Sequence, residues 1–194
     1  MSTTDTAAAH ELILGGARSG KSRLAEARAA AWLATPGQQA LLLATATAGD
    51  AEMAARIRRH QADRAASLPA LGSLEVHGAA LAAALARHST PQRLLVVDCL
   101  TLWLTQQALP LLGPPVAADT VQAASDALVS VLRELPGPVV LVSNEIGLGV
   151  MPMGRETRNF IDALGWLHQA VAAASARVTL VVAGCEMTLK GAAR

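Results

Sequence analysis

Leu14 to Ala27 reads LGGARSGKSRLAEA, and within it Gly15-Gly16-Ala17-Arg18-Ser19-Gly20-Lys21-Ser22 satisfies GxxxxGK[ST] at every fixed position. Glycine lets the backbone wrap closely, so that successive N–H groups point at phosphate oxygens. A helix opening at Lys21 adds the positive end of its dipole to the same spot. Lys21 would neutralise the β- and γ-phosphates of a nucleoside triphosphate, and Ser22 would ligate Mg²⁺. The pattern is short enough to arise by chance. Its setting is what gives it weight: the apolar run Glu11 to Leu14 precedes it, and an Ala-rich helix over Lys21 to Trp32 follows. Strand, glycine turn, helix is the order that a phosphate loop requires.

Working outward, short apolar runs alternate with longer stretches of helical period. Ala40 to Ala44 (ALLLA), Leu94 to Asp98 (LLVVD), Val139 to Ser143 (VVLVS) and Val178 to Ala183 read as buried strands, with Ser73 to Val76 a shorter one. Helical character falls over Asp50 to Arg64, with Asp50 as N-cap, and over Gly78 to Arg87, Leu100 to Ala108, Asp119 to Leu135 and Phe160 to Ala176. Pro110 to Pro115 and the glycine-bearing stretch Asn144 to Arg155 read as loops. Strands separated by helices imply parallel crossovers, and a sheet covered on both faces. The fold expected is therefore α/β, a phosphate-loop (RecA-like) mostly parallel sheet in one domain over residues 11–194, after a mobile leader at 1–10.

Bulk composition narrows the function. A length of 194 residues with 52% hydrophobic and 16% charged residues fits one globular domain with a full core. An aromatic share of 2% offers few rings on which bases could stack, and a net charge of +1 lacks the field of a protein that coats nucleic acid. Nucleic acid is thus not an expected partner. Cys99 and Cys185 form no CxxC pair and read as reduced, buried thiols. MSTTDTAAAH has neither the basic nor the apolar region of a secretion signal, and no apolar run reaches membrane-spanning length. A cytoplasmic setting is expected.

Further groups stand where chemistry could use them. Asp98 closes LLVVD, placed to hold the loop's metal directly or through water, with a cap for the next helix as the alternative. Glu145 follows VVLVSN at another strand's carboxyl end, where ligands of open α/β sheets gather; a solvated loop carboxylate is the plainer reading. In MAARIRRHQADR (Met53 to Arg64), Arg56, His60 and Arg64 are four apart and share a helical face. Guanidinium groups there would attract polyphosphate and disfavour an imidazolium, leaving a neutral imidazole as a candidate nucleophile. Spacing alone equally allows a basic, solvated helix. His10 falls in the leader, and His77, His88 and His168 read as surface residues.

GGARSGKS, the block Arg56-Ile57-Arg58-Arg59-His60 and SNEIGLGVMP at Ser143 to Pro152 together resemble the bifunctional adenosylcobinamide kinase / adenosylcobinamide-phosphate guanylyltransferase family. The likeness runs in order from about Glu11 to the C-terminus. It implies phosphorylation of the aminopropanol hydroxyl of adenosylcobinamide by ATP or GTP. Transfer of GMP from GTP to that phosphate would follow, through a guanylylated histidine that maps onto His60. It also carries nucleotide contacts onto Gly15, Gly16, Ala17, Arg18, Ser19, Gly20, Lys21 and Ser22, onto Ala44, Thr45 and Ala46, onto Gln61, Ala62, Asp63 and Arg64, and onto Glu75 and Asp98. Lys21 would assist catalysis, Ser22 and Asp98 would hold Mg²⁺, and the chain would form a homotrimer. The family reads Arg-Pro-aromatic after the histidine helix, where this chain has Arg64-Ala65-Ala66-Ser67-Leu68. Two rival readings remain: a phosphate-loop kinase without nucleotidyl transfer, and a RecA-like NTPase module.

Overall fold

The structure is a computed structural model that describes residues 9–46, 51–78, 80–108 and 116–192, without the side chains of Glu52, Met53, Arg56 and His60. The proposed Asp50 cap and the Pro110 to Pro115 loop lie outside the described residues. Strands β1 (Glu11–Gly15), β2 (Gln39–Ala44), β3 (Leu71–Glu75), β4 (Arg93–Asp98), β5 (Val139–Asn144) and β6 (Arg177–Val182) pair in parallel, and β7 (Cys185–Lys190) adds an antiparallel edge. Among the described residues they form one seven-stranded sheet in the order β3-β2-β4-β5-β1-β6-β7. The helices are α1 (Lys21–Leu33), α2 (Ala51–Ser67), α3 (Ala80–His88), α4 (Leu100–Ala108), α5 (Ala118–Glu134) and α6 (Arg155–Ala174).

The continuous apolar strands work because side chains alternate between the two faces of a sheet. Leu12, Leu95, Val97, Val139 and Leu141 point into a core shared with Leu81, Trp103, Leu128 and Leu164 from α3 to α6. Their neighbours Ile13, Leu94, Val96, Val140 and Val142 point the other way, onto Leu24, Ala25 and Ala29 of α1. Burying both faces is what requires Val and Leu at successive positions.

Three of the differences from the sequence reading have a physical reason. Helix α6 starts at Arg155 rather than Phe160, because its first turn, RETRN, is solvent-facing and carries no apolar period. Helix α2 continues to Ser67, since Ala65 and Ala66 stand where a proline would end it. Strand β7 has no counterpart in the reading, because every one of its residues is exposed and none reports a core. It turns back from β6 through Ala183 and Gly184, at φ 51° and 80°.

Two readings of single residues are corrected. His10 is not part of a mobile leader: it is 4% exposed, with Nε2 2.8 Å from the Leu132 carbonyl and Nδ1 accepting from the Val139 N–H. Cys99 is buried as expected, but Cys185 is exposed on the edge strand.

Candidate active site

The carboxyl ends of the parallel strands bring the distant sequence motifs to one edge. Register places Ala44 of β2 beside both Glu75 of β3 and Asp98 of β4, and Gly15 of β1 beside Asn144 of β5. A cleft opens there, lined by Lys21, Ser22, Ala44, Ala46, Gln61, Arg64, Glu75 and Asp98, all expected from sequence, and also by Ile57, Cys99, Leu102 and Asn144.

The phosphate loop has the conformation its glycines require. A Cβ on Gly15 would lie 2.5 Å from Ser19 Oγ and 2.6 Å from the Val181 carbonyl oxygen. Gly20 adopts φ 103° and Arg18 φ 57°, both in the left-handed region. Gly20 begins α1 without a side-chain cap, so the first N–H groups of that helix are left for an anion. Ser19 Oγ is buried and has no hydrogen-bond partner among the described residues, which suits an added acceptor such as a phosphate oxygen. Lys21 is 8% exposed, and its Nζ donates to the Gly16 carbonyl at 2.9 Å, inside the curve of the loop. Gly16, Ala17 and Arg18 form the exposed outer rim. The loop is braced from the far edge of the sheet by the Gly184 N–H, which donates to the Ser19 carbonyl at 2.8 Å.

On the opposite wall, α2 brings Gln61 and Arg64 inward. Gln61 Nε2 donates to Glu75 at 3.2 Å. Arg64 is buried, bonded to Glu26 at 3.3 Å and 3.8 Å from Asp98 Oδ2, so it links α2 to α1 and β4 rather than standing clear as a phosphate clamp. Ala62 and Asp63 lie on the exposed face of α2, away from the cleft. Residue 60 belongs to this same helix; its side chain, with that of Arg56, is outside the described set. Thr45 is fully buried and acts as a staple: its Oγ1 donates to the Cys99 carbonyl and accepts the Cys99 N–H, while its own N–H reaches the Asp98 carbonyl. Gln106 also donates to the Thr45 carbonyl. These bonds fix the turn that presents Asp98.

Ser22 and Asp98 are both half-buried and face the same cleft. A hydroxyl and a carboxylate are hard oxygen donors, the set that Mg²⁺ takes when phosphates and water complete its shell. Among the described residues there is no cluster of three His, Cys, Asp or Glu side chains that would form a closed protein cage. The residues fit a nucleotide-borne Mg²⁺.

Behind the cleft lies a network that the sequence reading missed. His168, expected at the surface, is 7% exposed; its Nε2 is 2.7 Å from Ser143 Oγ and its Nδ1 faces Glu145 Oε2 at 3.7 Å. Burial pushes its imidazole below the usual range, against the opposing pull of the Glu145 carboxylate. The signal was present: Leu164, Leu167, His168 and Val171 recur at i, i+3, i+4 and i+7, one inward face of α6.

Comparison with known proteins completes the description. Residues 11–189 match the family described as cobinamide kinase / cobinamide phosphate guanyltransferase. The bifunctional adenosylcobalamin biosynthesis protein CobP of Pseudomonas aeruginosa is 50% identical over 181 residues, covering 93% of this chain and 97% of the relative. The bifunctional adenosylcobalamin biosynthesis protein CobU of Salmonella typhimurium is 35% identical over 187 residues, covering 92% and 98%. Its counterpart of the same name in Escherichia coli is 33% identical over the same length. No helix among the described residues is long and apolar enough to cross a membrane.

Proposed function

Because the chain belongs to the cobinamide kinase / cobinamide phosphate guanyltransferase family, we propose that this one cleft at the carboxyl edge of its sheet serves both reactions. The chain is an enzyme that phosphorylates adenosylcobinamide with ATP or GTP and then guanylylates the product. The observation that carries this reading is the convergence of Lys21, Ser22, Gln61, Glu75 and Asp98, from four separate segments, on one cleft beside helix α2.

In the first step the acceptor hydroxyl attacks the γ-phosphorus of the bound nucleotide. The loop N–H groups and Lys21 take up the charge that develops on the phosphate oxygens. Ser22 and Asp98 would hold Mg²⁺, which when bound would neutralise charge on the leaving phosphates. In the second step the His60 imidazole attacks the α-phosphorus of GTP and the bond to the β-phosphate oxygen breaks, releasing pyrophosphate. An oxygen of adenosylcobinamide phosphate then attacks the same phosphorus, the P–N bond breaks and the imidazole is restored. Two successive displacements explain why a histidine is needed at all: it carries GMP while pyrophosphate leaves and the acceptor enters.

We propose a homotrimer as the working assembly. The exposed apolar side chains Val150, Met153, Met187 and Leu189 offer surface for self-association. Native mass spectrometry of the GTP-treated chain tests both points. The expected result is three copies, each gaining one GMP that maps to residue 60 and is acid-labile. His60→Ala should gain none. An unmodified wild type with kinase turnover would leave a plain phosphate-loop kinase. Hydrolysis stimulated by single-stranded DNA and indifferent to adenosylcobinamide would leave a RecA-like module.

A further inference from the structure

The buried polar network behind the cleft has a direction that can be worked out from its donors and acceptors. The Asn144 N–H can only donate, and it does so to Thr101 Oγ1 at 2.8 Å. Thr101 Oγ1 lies 3.0 Å from Ser143 Oγ, which lies 2.7 Å from His168 Nε2. At the far end the Glu145 carboxylate can only accept, and it faces His168 Nδ1 at 3.7 Å. Because the carboxylate can only accept, the ring proton sits on Nδ1 and Ser143 donates to Nε2, while Thr101 Oγ1 has both Ser143 Oγ and the Asn144 carbonyl, at 3.5 Å, as acceptors. The reverse order would set a bare Nδ1 lone pair against an anion.

The chain Ser143–His168–Glu145 has the outline of a hydrolytic triad, but Ser143 is 0% exposed and bonded to Thr101, so it cannot meet a substrate. The reachable end is Glu145, whose side chain is 21% exposed and lines a second pocket, with Gly147, Met151 and His168, next to the cleft residue Asn144. Its backbone N–H donates to the Gly15 carbonyl at 3.0 Å, tying it to the first residue of the phosphate loop. Strand β5, which delivers it, lies between β1, carrying that loop, and β4, carrying Asp98. Its Oε1 accepts the Gly147 N–H at 2.6 Å. The other acids at this edge are already committed, Asp98 beside Arg64 and Glu75 to Gln61. Among the described residues, the His168 imidazole and the Gly147 N–H contact the Glu145 carboxylate.

We propose that Glu145 is the general base of the kinase step and that His168 is the residue that positions its carboxylate. The assignment rests on the kinase reading given above. The acceptor O–H gives its proton to the Glu145 carboxylate while its oxygen forms the bond to the γ-phosphorus. The bond from that phosphorus to the β-phosphate oxygen breaks, and its electron pair leaves with the nucleoside diphosphate. Glu145 then loses the proton to solvent. Guanylyl transfer does not use this base, because its two nucleophiles, an imidazole and a phosphate oxygen, need no proton removed.

The test compares kinase and guanylyltransferase turnover in the same preparations, using adenosylcobinamide for one and pre-formed adenosylcobinamide phosphate for the other. For Glu145→Gln the ratio of kinase kcat to transferase kcat should fall roughly a hundredfold, the usual contribution of a general base, with KM for the nucleotide within about twofold. Glu145→Asp should recover part of the ratio. His168→Leu should lower it roughly tenfold, whereas His168→Asn, which keeps a donor at the Nδ1 position, should stay within about threefold of wild type. An unchanged ratio in Glu145→Gln, or equal loss of both activities, overturns the assignment. A wild-type chain that turns over no adenosylcobinamide overturns the kinase reading, and the base assignment with it.

Discussion

Gly15 shows how much of the site rests on a missing atom. An alanine there would press its methyl on Ser19 Oγ and on the Val181 carbonyl, which is held by sheet pairing and cannot swing aside. Gly15→Ala should therefore weaken GTP binding by roughly tenfold or more, equivalent to about 1.4 kcal/mol of strain, as read by calorimetric titration. Gly16→Ala, with open space around the new methyl, should cost less. At this scale the sequence was informative where chemistry demands one residue type, as at Gly15, Gly20, Lys21 and Asp98. It was silent where a polar residue is satisfied by distant partners. Nothing adjacent to His10 announces that its ring will bridge Leu132 and Val139.

Among the elements, the edge formed by β6 and β7 carries the least sequence signal and a structural task. Arg28 of α1 reaches Glu11 of β1 at 3.0 Å and Glu186 of β7 at 2.7 Å. Burial pushes its guanidinium pKa down, but the two carboxylates outweigh that and the net shift is upward. Glu11 is only 6% exposed and also accepts from Thr179 at 2.8 Å. Arg28→Ala would leave that carboxylate buried without its cation, and should cost about 3–5 kcal/mol in urea denaturation. Adding Glu11→Gln should recover much of the loss. Glu186→Ala alone should cost under about 1 kcal/mol, because that carboxylate is half exposed and water can replace it. Elements that bury a face were legible from period; β7, joined to the rest through its backbone and these charges, was not.

For the molecule as a whole, pH should act through two imidazoles at opposite ends of β5. Burial holds both His10 and His168 below the usual imidazole value; the Leu132 carbonyl and Glu145, respectively, pull the other way without prevailing. In the unfolded chain the same rings take up protons near pH 6.5. The unfolded state then binds more protons than the native one, so stability is fully present above about pH 6.5 and is lost as pH falls through the depressed folded values. The urea midpoint should decline over that window, and His10→Gln should flatten the decline. The layered α/β architecture was readable because both cores are written in one alternating code. The order of strands was not, since the placement of β1 between β5 and β6 depends on pairings between residues more than a hundred positions apart.

That placement governs the timing of maturation. Strand β1 has its two neighbours, Val139–Asn144 and Arg177–Val182, more than a hundred residues further along the chain. The turn that steadies the glycine loop, at Gly184, emerges later still. A nascent chain therefore has no finished phosphate cradle until Gly184 has been added, and nucleotide can stabilise only a polypeptide that extends past it.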